Sequence, residues 1–192
     1  DSIKITAYFS LKSNTAALAQ LTLLLNAQPD NSLFKQQLIQ LHYELESFDL
    51  AAALVDNELI NQQDALNIGL LHLLKVNIAR RNANWLQAEQ HVHQAQAIFS
   101  ELRLPHLESD ALIQASWIAF VNSNYRQSIE HLNAAANKAR AAREPLQEVK
   151  AHLTQSFMAS KTKQTALMNS HLDLAKQLID LHQLNDEHQI SV

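Results

Sequence analysis

The stretch "NWLQAEQHVHQAQAIFSELRLP", Asn84–Pro105, decides the architecture once it is set beside "NYRQSIEHLNAAANKARAAREP", Asn124–Pro145. Few letters agree between them. Both open on Asn followed by an aromatic residue, and both close on Pro. One fixed offset superimposes them, and the match extends in both directions. Trp85 falls on Tyr125 and then Thr165, Ala88 on Ser128 and Met168, Val92 on Leu132 and Leu172, and Ala95 on Ala135 and Ala175. Upstream, Ile78 falls on Ile118 and Met158, and Ala79 on Ala119 and Ala159. A repeat of this length marks stacked supersecondary units.

The spacing inside one unit says what the unit is. Ala88, Val92, Ala95 and Phe99 recur at i, i+4, i+7 and i+11, one face of a helix. Leu112, Ala115, Ser116 and Ala119 draw the same stripe on the segment before Asn124. Small residues sit where two helices must come close. The polar break "VNSNY" at 121–125 separates the stripes, and the Pro after each second stripe suits a helix start. Each unit therefore reads as a helix–turn–helix pair. An earlier pair starts after Pro29 at the cap-like Asp30, Asn31 and Ser32. Leu38, Leu41 and Tyr43 lie on its first helix, and Phe48, Ala51 and Val55 begin its second.

Composition agrees. The 192 residues contain one Gly, three Pro and no Cys. Sheet proteins need Gly at tight turns, and an average chain of this size carries about a dozen. The shortage points to helices joined by simple connections. Without Cys there is no disulfide, no thiolate nucleophile and no Cys-ligated zinc. The net charge of −4 offers no general attraction to nucleic acid or anionic membrane, and no apolar run approaches the ~18 residues of a membrane span.

The expected fold is all-α, a right-handed α-solenoid of about nine helices stacked as antiparallel pairs. A leading helix is expected at 14–27. Pairs follow at 32–46 with 48–61, 64–82 with 84–103, 107–122 with 124–143, and 146–160 with 164–183. All belong to one repeat domain spanning 1–192. Asp1 in place of an initiator Met, and terminal helices that are apolar nearly all round, point to a segment of a larger protein.

The pattern of an aromatic, two residues, Ala, three residues, an apolar residue, two residues and Ala resembles the second helix of a tetratricopeptide repeat. Phe48–Asp49–Leu50–Ala51 carries it most clearly, with Leu38 at the family's first-helix Leu. The 40-residue spacing looks like the longer repeats of MalT-type bacterial regulators. The resemblance spans about residues 29–183. It departs at the family's first-helix Gly, here Ile39, Val76, Ser116 and Ser156, and at its first-helix Tyr, here His42, Ala79, Ala119 and Ala159. The last repeat has Thr165 and Met168 in place of the aromatic and the small residue.

The resemblance implies that first helices line a concave groove. Ile113, Trp117 and Phe120 form a second apolar stripe roughly 100° from the packing stripe. Projection by the repeat gives a groove surface of Tyr43, Asn77, Arg80, Arg81, Trp117, Phe120, Phe157 and Lys161. Aromatic residues and Arg are the usual anchors of protein interfaces, and Arg80 suits a partner's carboxylate. In the competing assignment Trp117 and Phe157 fill space between repeats.

Chemistry is not visible. His91, His131 and His171 recur once per repeat, but equivalent helices lie roughly 8–10 Å apart and cannot bring three His to one zinc ion. His91 and His93 diverge on their helix. One Gly excludes phosphate-cradling loops and the G-x-S-x-G elbow. Lys138, Arg140 and Arg143 suit a helix C-terminus better than nucleic acid. No enzyme, cofactor or metal site is expected. The expected function is a non-catalytic module that holds a protein or peptide in its groove, within a bacterial regulatory or assembly protein of the cytoplasm. A periplasmic setting stays open. Two alternatives stand beside it: a small-ligand sensor of a transcriptional regulator, and a self-association domain that dimerises through its uncapped end helices.

Overall fold

The computed structural model describes residues 14–182 and Leu184. Among these residues the regular elements are nine α-helices. They are α1 (Asn14–Ala27), α2 (Ser32–Glu44), α3 (Phe48–Asn61), α4 (Ala65–Arg81), α5 (Trp85–Glu101), α6 (Pro105–Val121), α7 (Tyr125–Ala142), α8 (Pro145–Lys161) and α9 (Thr165–His182). Each packs against its neighbours in the chain, so the molecule is an α-solenoid of antiparallel helix pairs. The expected domain also takes in 1–13, 183 and 185–192, which lie outside the described residues.

The two quoted phrases each delimit one helix. The side-chain oxygen of Asn84 accepts from the Gln87 backbone N–H at 3.2 Å, and that of Asn124 from Gln127 at 3.4 Å. The Asn amides donate back to the Gln87 and Gln127 side chains at 3.2 and 2.7 Å. This is a reciprocal cap of the kind that satisfies the open N–H groups of a helix start. Pro105 and Pro145 stand at the first turn of the following helix, where no amide hydrogen is needed. Helix α6 accordingly begins at Pro105, not at 107.

Helices α4 to α9 begin at Ala65, Trp85, Pro105, Tyr125, Pro145 and Thr165, at one constant interval. Each repeat is thus two equal half-units. The turns between them are not simple connections. Glu46, Ala83, Arg103, Ser123, Arg143 and Lys163 all adopt φ between 53° and 62°. Behind each, a backbone N–H reaches the carbonyl five residues back: Asn84 to Ala79 at 2.8 Å, Leu104 to Phe99 at 3.0 Å, Asn124 to Ala119 at 2.8 Å. Such left-handed helix ends normally carry Gly. Here six L-residues adopt the conformation, at a cost of roughly 1–2 kcal/mol each. The shortage of Gly therefore does not mean a shortage of left-handed turns.

The single Gly serves packing. Gly69 lies inside α4, and a Cβ there would stand 2.5 Å from the Phe99 ring and 3.2 Å from Ile98. Phe99 is fully buried, so it has little room to yield. Small residues do the same work along the stack. Ala88, Val92, Ala95 and Phe99 are buried, as are Ser128, Leu132, Ala135 and Ala139. Ala95, Ala135 and Ala175 occupy equivalent buried positions in three successive pairs. Several polar side chains within the stack are matched across helices. The Ser109 hydroxyl donates to the Ala135 carbonyl at 3.2 Å, and that of Ser156 to Met168 at 3.0 Å. Lys138 pairs with Glu108 at 2.7 Å, and Arg140 Nε donates to Glu148 Oε1 at 2.8 Å. These two cations, expected to serve their own helix end, tie α7 to α6 and to α8.

Replacing a left-handed L-residue by Gly removes the steric cost. Ala83→Gly and Ser123→Gly are expected to stabilise the protein by about 1 kcal/mol each, nearly additively because the turns are separate. Urea unfolding midpoints of the two single variants and the double variant check this.

Candidate functional site: the first-helix face

The first helices α2, α4, α6 and α8 form one row and the second helices α3, α5, α7 and α9 another. Helices α6 and α8 touch directly although two places apart in the chain. On the opposite side, clefts of about 190 and 200 Å³ part α5 from α7 and α7 from α9. Between α2 and α4 the first-helix face opens into a cleft of about 340 Å³, lined by Leu33, Gln36, Gln40, Asn67, Leu70 and Leu74.

Most of the residues projected onto the groove meet in a chain of contacts along this face. Arg81 Nε donates to the Tyr43 hydroxyl at 3.2 Å, and its guanidinium lies 5.9 Å from the Tyr43 ring centre. Arg80 bonds the Gln114 side-chain oxygen and lies 5.7 Å from the Trp117 ring centre. Trp117 and Phe157 are 5.2 Å apart between centroids, and Lys161 Nζ stands 4.9 Å from the Phe157 ring. Cations over aromatic faces are attracted by the ring quadrupole. Asn77 is half-buried one turn before Arg80. Phe120 turns elsewhere: its ring centre lies 6.5 Å from that of Trp117 and 5.3 Å from that of Tyr125, and it lines the α7–α9 cleft on the second-helix side.

Burial separates the two roles open to the aromatics. Trp117 is half-buried and packs against the cluster of Ile113, Leu132 and Ala135. Phe157 is 40% exposed. Trp117 thus belongs to the core along one edge, whereas Phe157 presents its ring to solvent. Gln114, one turn before Trp117, is a member of this surface that the stripe argument missed. Its signal in the sequence was the i+3 spacing alone.

The electrostatics follow from burial. Desolvation lowers the Arg80 pKa, against a raising influence from Tyr43, and its Nε is buried without a partner. The hydrogen bond to Tyr43 raises that of Arg81. Arg80, Arg81 and Lys161 stand in the last turns of their helices, where positive charge complements the helix dipole. Glu46 adds a further raising influence on Arg81, and Asp110 faces Lys150 at 3.7 Å and Gln147 at 3.3 Å, with burial raising its carboxyl.

Histidines form a second constellation. The row His91, His131 and His171 does not converge. Instead His91 Nδ1 faces His72 Nδ1 at 3.1 Å, and His171 Nδ1 faces His152 Nδ1 at 3.2 Å. His72 and His152 went unnoticed in the sequence, although each precedes its partner by the same separation that also joins Asp56 to Lys75. Among the described residues no three or more His, Cys, Asp or Glu side chains converge as a metal site, and no helix is long and apolar enough to cross a membrane.

No protein-family model and no curated protein matches this sequence. Solved structures do. BtubC (BKLC) from P. vanneervenii superposes with a TM-score of 0.70 at 12% identity, over 94% of this chain and 75% of that one. A MamA RS-1 ArsTM double mutant superposes with a TM-score of 0.66 at 14% identity, over 96% and 95%. A further MamA structure gives 0.65 at 9% identity, over 93% and 96%. What is shared at such identities is the fold, a helical-repeat solenoid.

Burial holds the imidazoles of His72, His91, His131, His152 and His171 below the ordinary histidine value. A lowered pKa means the folded protein resists a proton that the unfolded chain accepts near pH 6.5. Stability from these groups is complete above that pH and is lost as pH falls toward the folded values. Asp110 acts with the opposite sign, at lower pH. Urea midpoints are expected to fall between pH 7 and 5, less steeply in a His72→Leu/His152→Leu variant.

Proposed function

We propose that the protein is a non-catalytic interaction module whose first-helix face holds an extended peptide or protein segment. The observation that carries this reading is the continuous row Tyr43–Arg81, Arg80–Trp117, Phe157–Lys161. The row places three cations on a chain of net charge −4. None of the three is within ion-pairing distance of a carboxylate among the described residues. Acidic side chains on a partner suit those cations, and an apolar side chain suits the exposed Phe157 ring. The neighbouring α2–α4 cleft adds Gln36, Gln40 and Asn67 as donors and acceptors for a partner's backbone. Asn77 serves the same purpose beside Arg80.

The module is read as the repeat portion of a larger bacterial regulatory or assembly protein. A small-ligand sensor, the role that goes with the MalT-type resemblance, has weaker support. The apolar cleft between α7 and α9 measures about 200 Å³, below the ~300–1,000 Å³ usual for small-molecule sites, and the α2–α4 cleft of about 340 Å³ reaches that range only as an open trough on the first-helix face. Self-association through the last helix has a specific observation in its favour. Leu167, Leu174 and Leu181 form an exposed stripe on α9 with a seven-residue spacing.

The groove reading is tested with an array of random peptides in acidic, neutral and basic sets. The protein is expected to retain acidic peptides that carry an aromatic or Leu residue. Binding is expected to fall at least tenfold in Phe157→Ala and in Arg81→Glu, with melting almost unchanged because both side chains are exposed. Trp117→Ala is expected to weaken binding and also to cost about 3 kcal/mol of stability, since part of the ring is core. Equal retention of all three peptide sets by the wild type and both surface variants overturns the reading.

A further inference from the structure

The facing histidines are the least explained feature of the fold. Each pair joins the first and second helix of one repeat, α4 to α5 and α8 to α9. The pairs lie at equivalent places: His72 and His152 are two repeats apart, and so are His91 and His171. The repeat between them has Leu112 and His131 at these positions and so forms no pair. A side chain that merely packs at this point is therefore satisfied by Leu.

We propose that His72–His91 and His152–His171 are two binding sites for an exchangeable divalent transition-metal ion of the zinc and copper class. The first support is the bite. A zinc ion holds imidazole nitrogens at about 2.0–2.1 Å, so two of them at angles near 90–110° lie roughly 2.9–3.4 Å apart. The separations of 3.1 and 3.2 Å fall inside that range with no movement of the helices.

The second support is the protonation state that the contact enforces. Two N–H groups cannot face one another at this distance, so at least one Nδ1 in each pair carries a lone pair directed at the other. When the remaining Nδ1 proton moves to Nε2 the ring stays neutral and a second lone pair opens. The ion then takes the place of one shared proton.

The third support is the surrounding donors. Gln94 Oε1 lies 3.1 Å from His91 Nδ1, and Gln155 Oε1 lies 3.2 Å from His152 Nδ1, so each gap has an amide oxygen at its edge. Glu148 Oε1 lies 3.8 Å from His152 Nε2. A carboxylate on that side favours a proton at Nε2 and leaves Nδ1 free for the metal, the outer arrangement common around metal-bound His. The other charges near the pairs are Lys75 with its partner Asp56 for the first, and Arg140 with its partner Glu148 for the second. Each cation is held in an ion pair, which reduces but does not abolish its repulsion of a second positive charge.

The donor count sets the kind of site. Structural zinc usually has four protein ligands. Two imidazoles and one amide leave positions for water, so the ion exchanges and its level sets how firmly the helix pair is clamped. Imidazole donors favour Cu²⁺ over Zn²⁺ and give Mg²⁺, which prefers oxygen, no hold. His171 also lines the α7–α9 cleft, which gives the second site a path to solvent.

Isothermal titration of the protein with ZnCl₂ at pH 7.5 is expected to give two ions per chain, and CuCl₂ two held more tightly. MgCl₂ is expected to give none, and ZnCl₂ at pH 5 none. His72→Leu leaves one ion and His72→Leu/His152→Leu leaves none, with helicity retained because Leu112 stands at the same place in the middle repeat. Should either variant fail to fold, copper electron paramagnetic resonance on the wild type decides the matter, since two bound imidazole nitrogens per ion are expected. A wild type that binds no zinc, a double variant that still binds two ions, or a copper signal with a single nitrogen overturns the proposal.

Discussion

The hydrogen bond that closes six of the eight described helix-to-helix turns, from the residue after the left-handed position to the carbonyl five residues back, is the constraint on which the rest of the stack depends. It fixes where one helix stops and at what angle the next departs. From Ala83 to Lys163 this turn recurs at every half-repeat. The helices are therefore nearly equal in length and reverse in the same way. Equal reversals place Ala95, Ala135 and Ala175 at the same depth in three pairs. They also bring His72 opposite His91 and His152 opposite His171. A turn that was one residue longer would rotate the following helix by about 100° and break both sets of contacts. The chain secures this regularity without Gly, and so bears six left-handed L-residues. Strain of that kind persists only where the neighbouring packing over-determines it.

The stack in turn positions the first-helix face. Arg80 and Arg81 are adjacent in sequence but engage different neighbours, Trp117 and Tyr43. Adjacent residues on a helix point about 100° apart, so one reaches forward to the next repeat and the other back to the previous one. Two of the cation–aromatic contacts thereby tie the α4–α5 repeat to both neighbours along one edge. This gives them a structural share alongside any part in recognition. Trp117 illustrates the overlap, since one edge of its ring is core and the other borders Arg80 and Phe157. Phe157 and Lys161, at the far end of the row, have no later repeat to cover them among the described residues and remain the more accessible pair.

Helix class, the pairing of helices and the 40-residue period were legible in the sequence because they rest on local rules. Apolar spacing near the helical period, Asn caps and Pro at helix starts act within one or two turns of the chain. The buried stripe at 88, 92, 95 and 99 could be read off directly for the same reason. Membership of Asn77, Arg80, Arg81 and Phe157 in one surface was approachable by projecting the repeat, since equivalent positions share a face. Phe120 was misplaced by that projection. It lies at the very end of α6, where the turn swings its ring toward Tyr125 and the second-helix side.

The amino-acid sequence by itself determined that this protein is a row of paired helices with an internal period, because periodicity and capping are properties of neighbouring residues. Only the tertiary structure decided that the turns are left-handed without Gly and that Gly69 exists to admit Phe99. The same holds for the meeting of the histidines across helix pairs, not along the row. Each of these depends on contacts between residues on different helices or on a backbone angle. The recurrence of His91, His131 and His171 is visible in the order of side chains, but the helix that each one faces is not.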